Sequence, residues 1–160
     1  MTETILNMLD EMNIDYELVE HGPVYTIDDM EGLGFDPGIE ICKNLFICDD
    51  KGRSQFLIVL KKDKTANLKE LAGKLGCKNL RFASEQRLGK YLGLAKGAVS
   101  PFGIINDSDS AVAVIVDKDL EGHPRLGVHP NENTATVILS YASLKRIMER
   151  YHHEIQLVSL

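Results

Sequence analysis

The stretch Asn44-Leu45-Phe46-Ile47-Cys48, then Asp49-Asp50-Lys51-Gly52, then Gln55-Phe56-Leu57-Ile58-Val59-Leu60 decides the fold. Two β-rich runs flank a cluster of turn formers, which predicts a hairpin. Both runs are nearly continuously apolar rather than alternating, so both strands are expected to be central and buried on both faces. Upstream, Thr2 can cap a helix that carries Ile5, Leu9 and Met12 on one side, with Asn13 at its end. Tyr16-Glu17-Leu18-Val19 reads as a short strand and His21-Gly22-Pro23 as a turn. Thr26 with Asp29 three residues on reads as the capping box of a short helix ending near Gly32-Leu33-Gly34. Downstream, Asn67 can cap a helix through Leu68, Leu71, Ala72 and Leu75 with Gly76 just past its end, and Ser84 one with Leu88, Tyr91 and Leu92 as its apolar side. From Ile104 the pattern returns to strands, at 111–116, 125–128 and 134–139, before a last helix over 143–151. No repeat or low-complexity linker divides the chain. The expectation is one α+β domain over residues 1–160, a mixed, mostly antiparallel sheet covered by helices.

The totals fit that reading. A chain of 160 residues is long enough for one sizeable core and short for two, and 44% hydrophobic with 26% charged residues is ordinary for a globular protein. No apolar run approaches the roughly 20 residues of a membrane span, and the acidic N-terminus lacks the regions of a signal peptide, so a cytoplasmic location without a membrane partner is expected. Cys42, Cys48 and Cys77 are an odd set without CxxC spacing, which argues for reduced thiols rather than a disulfide framework or a cysteine-rich zinc site. Charge is unevenly distributed. Residues 1–50 hold one basic residue, Lys43, against thirteen acidic ones; residues 51–100 hold twelve against three; residues 101–160 hold five against eight. A polyanion would dock on the middle third, although a merely solvated basic face accounts for the same composition.

Three places can carry chemistry. Lys43-Asn44 puts an isolated cation where the first central strand is expected to begin, suited to anchor a phosphate or simply to be a solvated strand-edge residue. Gly97-Ala98-Val99-Ser100-Pro101-Phe102-Gly103 is a glycine-bounded loop: Gly97 and Gly103 permit φ > 0 and close approach of a ligand, and Pro101 biases Ser100 toward an extended conformation. Such a loop can aim amides at an oxyanion, and it reads equally as a turn between helix and strand. Gly127-Val128-His129-Pro130-Asn131-Glu132-Asn133-Thr134 is a polar loop in which His129 can orient an amine or move a proton. A Cys42/His129 nucleophilic pair lacks an activated thiol, and His123, His129, His152 and His153 lack a zinc-binding spacing, so no metal or other cofactor is expected.

Taken together, Lys43-Asn44-Leu45-Phe46, the loop from Gly97 through Pro101 with Phe102-Gly103 after it, and His129-Pro130 followed by Asn133-Thr134 resemble the freestanding prolyl-tRNA editing proteins of the YbaK/ProX family, in order and spacing over nearly the whole chain. One departure is a second His-Pro pair, His123-Pro124; the choice of His129 rests on the Asn-Thr that follows it. The resemblance implies hydrolysis of the ester between a small amino acid and the terminal ribose of tRNA, with no metal and no covalent enzyme intermediate. Alanine on tRNA(Pro) is the first candidate, serine and cysteine are others, and a non-catalytic tRNA-binding regulator is the competing class. It implies roles for Lys43 at the terminal phosphate or ribose, for the backbone of Gly97, Ser100 and Pro101 at the carbonyl and water, and for His129 in orienting the substrate. Asn44, Ala98, Val99, Phe102 and Gly103 would surround the substrate, and Val24, Ile27, Met30 and Leu33 would filter its side chain by size. Lys61, Lys62, Lys64 and Lys69 are the candidate tRNA-binding lysines, and a prolyl-tRNA synthetase is a further candidate partner.

Overall fold

The hairpin is the centre of the sheet. In the computed structural model, which describes residues 2–160, strand β2 (Glu40–Asp49) pairs antiparallel with β3 (Gln55–Lys61), with Cys42 opposite Lys61 and Cys48 opposite Gln55. The turn closes because Gly52 adopts a φ of +69°, open to glycine at little cost, and Asp49 Oδ1 accepts from the Arg53 and Ser54 amides at 2.6 and 3.2 Å.

The remaining elements are α1 (Thr2–Glu11), β1 (Glu17–Glu20), α2 (Ile27–Glu31), α3 (Leu68–Leu75), β4 (Leu80–Phe82), α4 (Glu85–Leu92), β5 (Val112–Asp117), β6 (Leu126–Val128), β7 (Ala135–Leu139), α5 (Tyr141–Arg150) and β8 (Ile155–Val158), with 3₁₀ turns over Pro101–Asn106 and Lys118–Leu120. The sheet runs β1-β7-β6-β2-β3-β5-β8, and β4 also pairs with β2. The β1·β7, β6·β7, β2·β3 and β2·β4 pairs are antiparallel, whereas β2·β6, β3·β5 and β5·β8 are parallel.

Side chains alternate across β3, so its two sets of apolar residues enter two cores. Leu57 and Val59 join Phe46, Val114, Val116 and Phe102 under α1, α4 and α5. Phe56, Ile58 and Leu60 join Ile47, Ile115 and Leu71 of α3, and a third cluster of Val24, Met30, Ile39, Ile41 and Ile138 lies beside α2. Phe102 is fully buried in the largest cluster. Phe102→Ala is therefore expected to cost about 3–5 kcal/mol, measurable by urea unfolding.

Helix ends follow local chemistry. Thr26 accepts from the Asp29 amide while the Asp29 carboxylate accepts from the Thr26 amide, completing the capping box; Asn67 accepts from the Lys69 and Glu70 amides, and Gly76 ends α3 at a φ of +71°. Several boundaries differ from the sequence reading. β2 starts at Glu40, so Lys43 is its fourth residue rather than its start. α5 starts at Tyr141, capped by Ser140, rather than near residue 143, and Thr2 lies within α1 with its hydroxyl donating to Glu132. Ile104 belongs to the 3₁₀ turn. The short strands β4 and β8 were not anticipated; each has only three or four residues.

Candidate active site

Strand β2 is ten residues long and its second edge is only partly covered. β6 pairs with Glu40 and Ile41, β4 pairs with residues 47–49, and between them residues 42–45 present that edge to a cleft of about 330 Å³. Ile41, Cys42, Lys43, Asn44 and Leu45 form one side of the cleft. Val24, Tyr25, Thr26, Ile27 and Met30 come from α2 and the segment before it, Gly97 and Val99 from the glycine loop, and Gly127, Val128, His129 and Thr136 from β6, β7 and the loop joining them.

Lys43 shares its face of β2 with Ile41 and Leu45, so it emerges where the cluster beside α2 meets the cluster beneath α3. Its Nζ donates to the Lys64 carbonyl at 2.9 Å. An ammonium has three donors, so the tether fixes the side chain and leaves two for a ligand. Asn44 lines the cleft, and its Oδ1 is buried with no hydrogen-bond partner in the protein. Burial pushes the Cys42 thiol well above its usual pKa, and the charges of Glu40 and Asp117 push in the same direction, which keeps it a thiol rather than a nucleophile.

The glycine loop and the histidine loop are joined by Ser100. Its hydroxyl donates to the His129 carbonyl and accepts from the Phe102 amide, capping the 3₁₀ turn in which Pro101 is the first residue. With its proton already given to a carbonyl, this serine is built as a connector. The two glycines do different work. Gly97 has a φ of +85° and borders the cleft, whereas a Cβ on Gly103 would meet Leu94 Cδ1 at 2.8 Å and Leu92 Cβ at 3.0 Å, so Gly103 serves core packing rather than ligand approach. Ala98, Pro101 and Phe102 are buried behind the loop and do not line the cleft.

His129 Nδ1 lies 3.0 Å from the Ala135 carbonyl. A carbonyl only accepts, so Nδ1 carries the proton and Nε2 is the free acceptor. Burial lowers the His129 pKa below its ordinary value; the Ala135 carbonyl opposes this and the neighbouring His21 reinforces it. The neutral form, which is the accepting form, therefore persists to lower pH than in a free imidazole. The acid limb of a kcat/KM profile assigned to His129 is expected below about 6.5. A limb at or above that value, removed in His129→Ala, would contradict this environment.

Other candidates lie elsewhere. Leu33 is 40% exposed and borders a separate depression with Leu18, Phe35 and Ile39, so it does not join Val24, Ile27 and Met30. Lys64 is bound by Asp117 and Asp119 at 2.8 and 2.6 Å and by the Leu160 carbonyl at 3.0 Å. Burial works against its charge, but the two carboxylates outweigh it and hold the ammonium above its usual pKa; Lys64 is thus committed to an internal ion cluster rather than presented to tRNA. Lys61 lies 3.8 Å from Glu40, Lys62 is half-buried and Lys69 is exposed on α3. His123 Nδ1 accepts from the Arg125 amide at 3.0 Å and does not line the cleft. Tyr25, Thr26 and Thr136 line the cleft although nothing in the sequence singles out the first or the last. Among the described residues no three His, Cys, Asp or Glu side chains group so as to hold a metal ion, and no helix is long and apolar enough to cross a membrane.

A cleft of this composition, a tethered cation, a positive-φ glycine loop and a neutral histidine on a mixed sheet, coincides with a family match. Residues 21–147 match the aminoacyl-tRNA editing domain, and the chain belongs to that family. It is accordingly an editing enzyme, an aminoacyl-tRNA deacylase. It is 50% identical over 147 residues to the prolyl-tRNA editing protein ProX of Acetoanaerobium sticklandii, covering 92% of this chain and 90% of that one. A prolyl-tRNA synthetase associated domain-containing protein 1 of Danio rerio is 33% identical, covering 91% and 79%. In fold, the chain matches a solved structure described as a candidate trans-editing enzyme for prolyl tRNA synthetase, with a TM-score of 0.76 at 20% identity over 99% and 95% of the two chains.

Proposed function

We propose that the chain acts in trans to remove alanine from tRNA(Pro) wrongly charged with it. The observation that carries this reading is the meeting of Lys43, Gly97 and His129, from three separate parts of the sequence, around one cleft whose lining includes no carboxylate. An ester is already activated, so holding it, placing a water and stabilising the oxyanion with amides of the glycine loop, those of Gly97 and Val99 at the cleft wall, provide the acceleration. A vicinal ribose hydroxyl of the substrate can take part in proton transfer. Lys43 binds the terminal phosphate or ribose, and His129 Nε2 orients the substrate. Val24, Ile27 and Met30 form an apolar wall that admits a small side chain, which is what a second sieve after a proline pocket requires. A link to prolyl-tRNA synthetase is supported by the 26% identity to part of the proline–tRNA ligase of Limosilactobacillus fermentum, of which the chain covers 19%.

The test is release of free alanine from alanyl-tRNA(Pro) by the purified protein. Release no faster than spontaneous hydrolysis, with binding intact, would make the chain a non-catalytic regulator; faster release of serine or cysteine would change the substrate. Lys61 and Lys64 are paired with carboxylates, whereas Lys62 and Lys69 are not. Replacing both with alanine is expected to raise KM severalfold and to lower the salt slope of log KM by roughly 1–2, with kcat little changed. Measured KM and salt slope equal to those of the parent protein would make these lysines a solvated face.

A further inference from the structure

Tyr25 leaves 70% of its surface exposed, and among the described residues only Leu33 and Phe82 are comparably exposed large hydrophobic side chains. Unlike those two, Tyr25 lines the cleft. Its backbone is held firmly. The Val24 amide donates to the Asn133 carbonyl at 3.1 Å, Asn133 Nδ2 donates back to the Val24 carbonyl at 2.9 Å, and the Tyr25 amide donates to Asp29 Oδ2 at 2.9 Å. The ring leans against Gly97, where an added Cβ would lie 3.0 Å from Tyr25 Cδ1. An exposed aromatic side chain on an anchored backbone at the mouth of a cleft is suited to receive a flat apolar surface.

We infer that Tyr25 is the stacking platform for the nucleobase of the nucleotide that carries the ester, an inference that rests on the deacylase reading. Charge decides between base and phosphate on this side of the cleft. No lysine or arginine precedes Lys43 in the chain, α2 itself carries Asp28, Asp29 and Glu31, and Lys96, next to Gly97, is paired with Glu85 at 3.9 Å. A phosphate would be repelled here, whereas a stacked base is neutral and needs only a π-face. Phosphates belong on the opposite side, where Lys43 reaches the Lys64 carbonyl of the basic turn that also carries Lys62. The terminal ribose then lies between Tyr25 and Lys43, which brings its ester toward Gly97 and His129. The glycine at position 97 acquires a second purpose: it leaves room for the ring beside the loop.

The experiment compares two small esters, alanyl adenosine and the alanyl ester of an abasic ribose, on the parent protein, Tyr25→Ala, Tyr25→Phe and Phe82→Ala. The parent protein is expected to favour the adenosine ester by about tenfold or more in kcat/KM, mainly through KM. Tyr25→Ala should erase that preference, Tyr25→Phe should retain it within about twofold, and Phe82→Ala, an exposed aromatic outside the cleft, should leave it intact. Equal hydrolysis of both esters by the parent protein, or an equal loss on both in Tyr25→Ala, would overturn the stacking role while leaving the deacylase reading in place. Hydrolysis of neither ester nor of the charged tRNA would overturn the deacylase reading, and this inference with it.

Discussion

Lys43→Ala is expected to lower kcat/KM for alanyl-tRNA(Pro) by about 100-fold or more while the protein remains folded. The argument is geometric. The Nζ is tethered to the Lys64 carbonyl at 2.9 Å, so its position over the cleft is set before substrate arrives and no side-chain entropy is lost on binding. It is also the one cation among the residues lining the cleft. A preorganised charge facing a polyanionic substrate in a partly dehydrated site is where single substitutions have effects of that size. The structural cost is small by comparison, chiefly one backbone carbonyl left without its donor, on the order of 1 kcal/mol. Lys43→Arg is a useful companion, because the planar guanidinium cannot reproduce the tether and the ligand contacts together. Turnover of the alanine variant at the parental rate would remove Lys43 from the site.

Gly97→Val should come next in effect, with kcat/KM falling by about tenfold or more. A φ of +85° is strained for any L-residue and most for a β-branched one, at roughly 1–2 kcal/mol, and the new Cβ would press on Tyr25 at 3.0 Å. The strain is relieved by moving either the loop amides or the tyrosine, and both border the cleft. Gly103→Ala provides the contrast. Its Cβ would strike Leu92 and Leu94, away from the cleft, so it should lower the melting temperature more than it lowers activity per folded molecule. Loss of activity in Gly103→Ala with Gly97→Val unaffected would reverse the assignment of the two glycines.

What could be read in the sequence was what is local. The β2–β3 hairpin announces itself because its turn residues and its apolar runs are contiguous, and the caps at Thr26, Asn67 and Ser84 act within three residues of themselves. Lys43, Gly97 and His129 could be nominated together only through a family resemblance, since nothing in their separate neighbourhoods says that they meet. The misplacements concern distant partners. Lys64 looked like its lysine neighbours until Asp117 and Asp119, more than fifty residues on, were found to hold it. Gly103 looked like Gly97 until its neighbours proved to be leucines. β4 was hidden for another reason: Arg81 and Phe82 are exposed, so a three-residue strand left no apolar pattern.

The interruption along the second edge of β2 bears on solubility. A bare strand edge invites another molecule to add a strand, and proteins usually cover, charge or shorten such edges. Here only residues 42–45 are bare, β6 and β4 stand as doorposts at either end, and the chain places a lysine in the gap. A foreign strand would find too few residues to pair with and a cation in its path. The protein can thus keep backbone accessible in the middle of its sheet for a substrate without offering a seam along which molecules could aggregate.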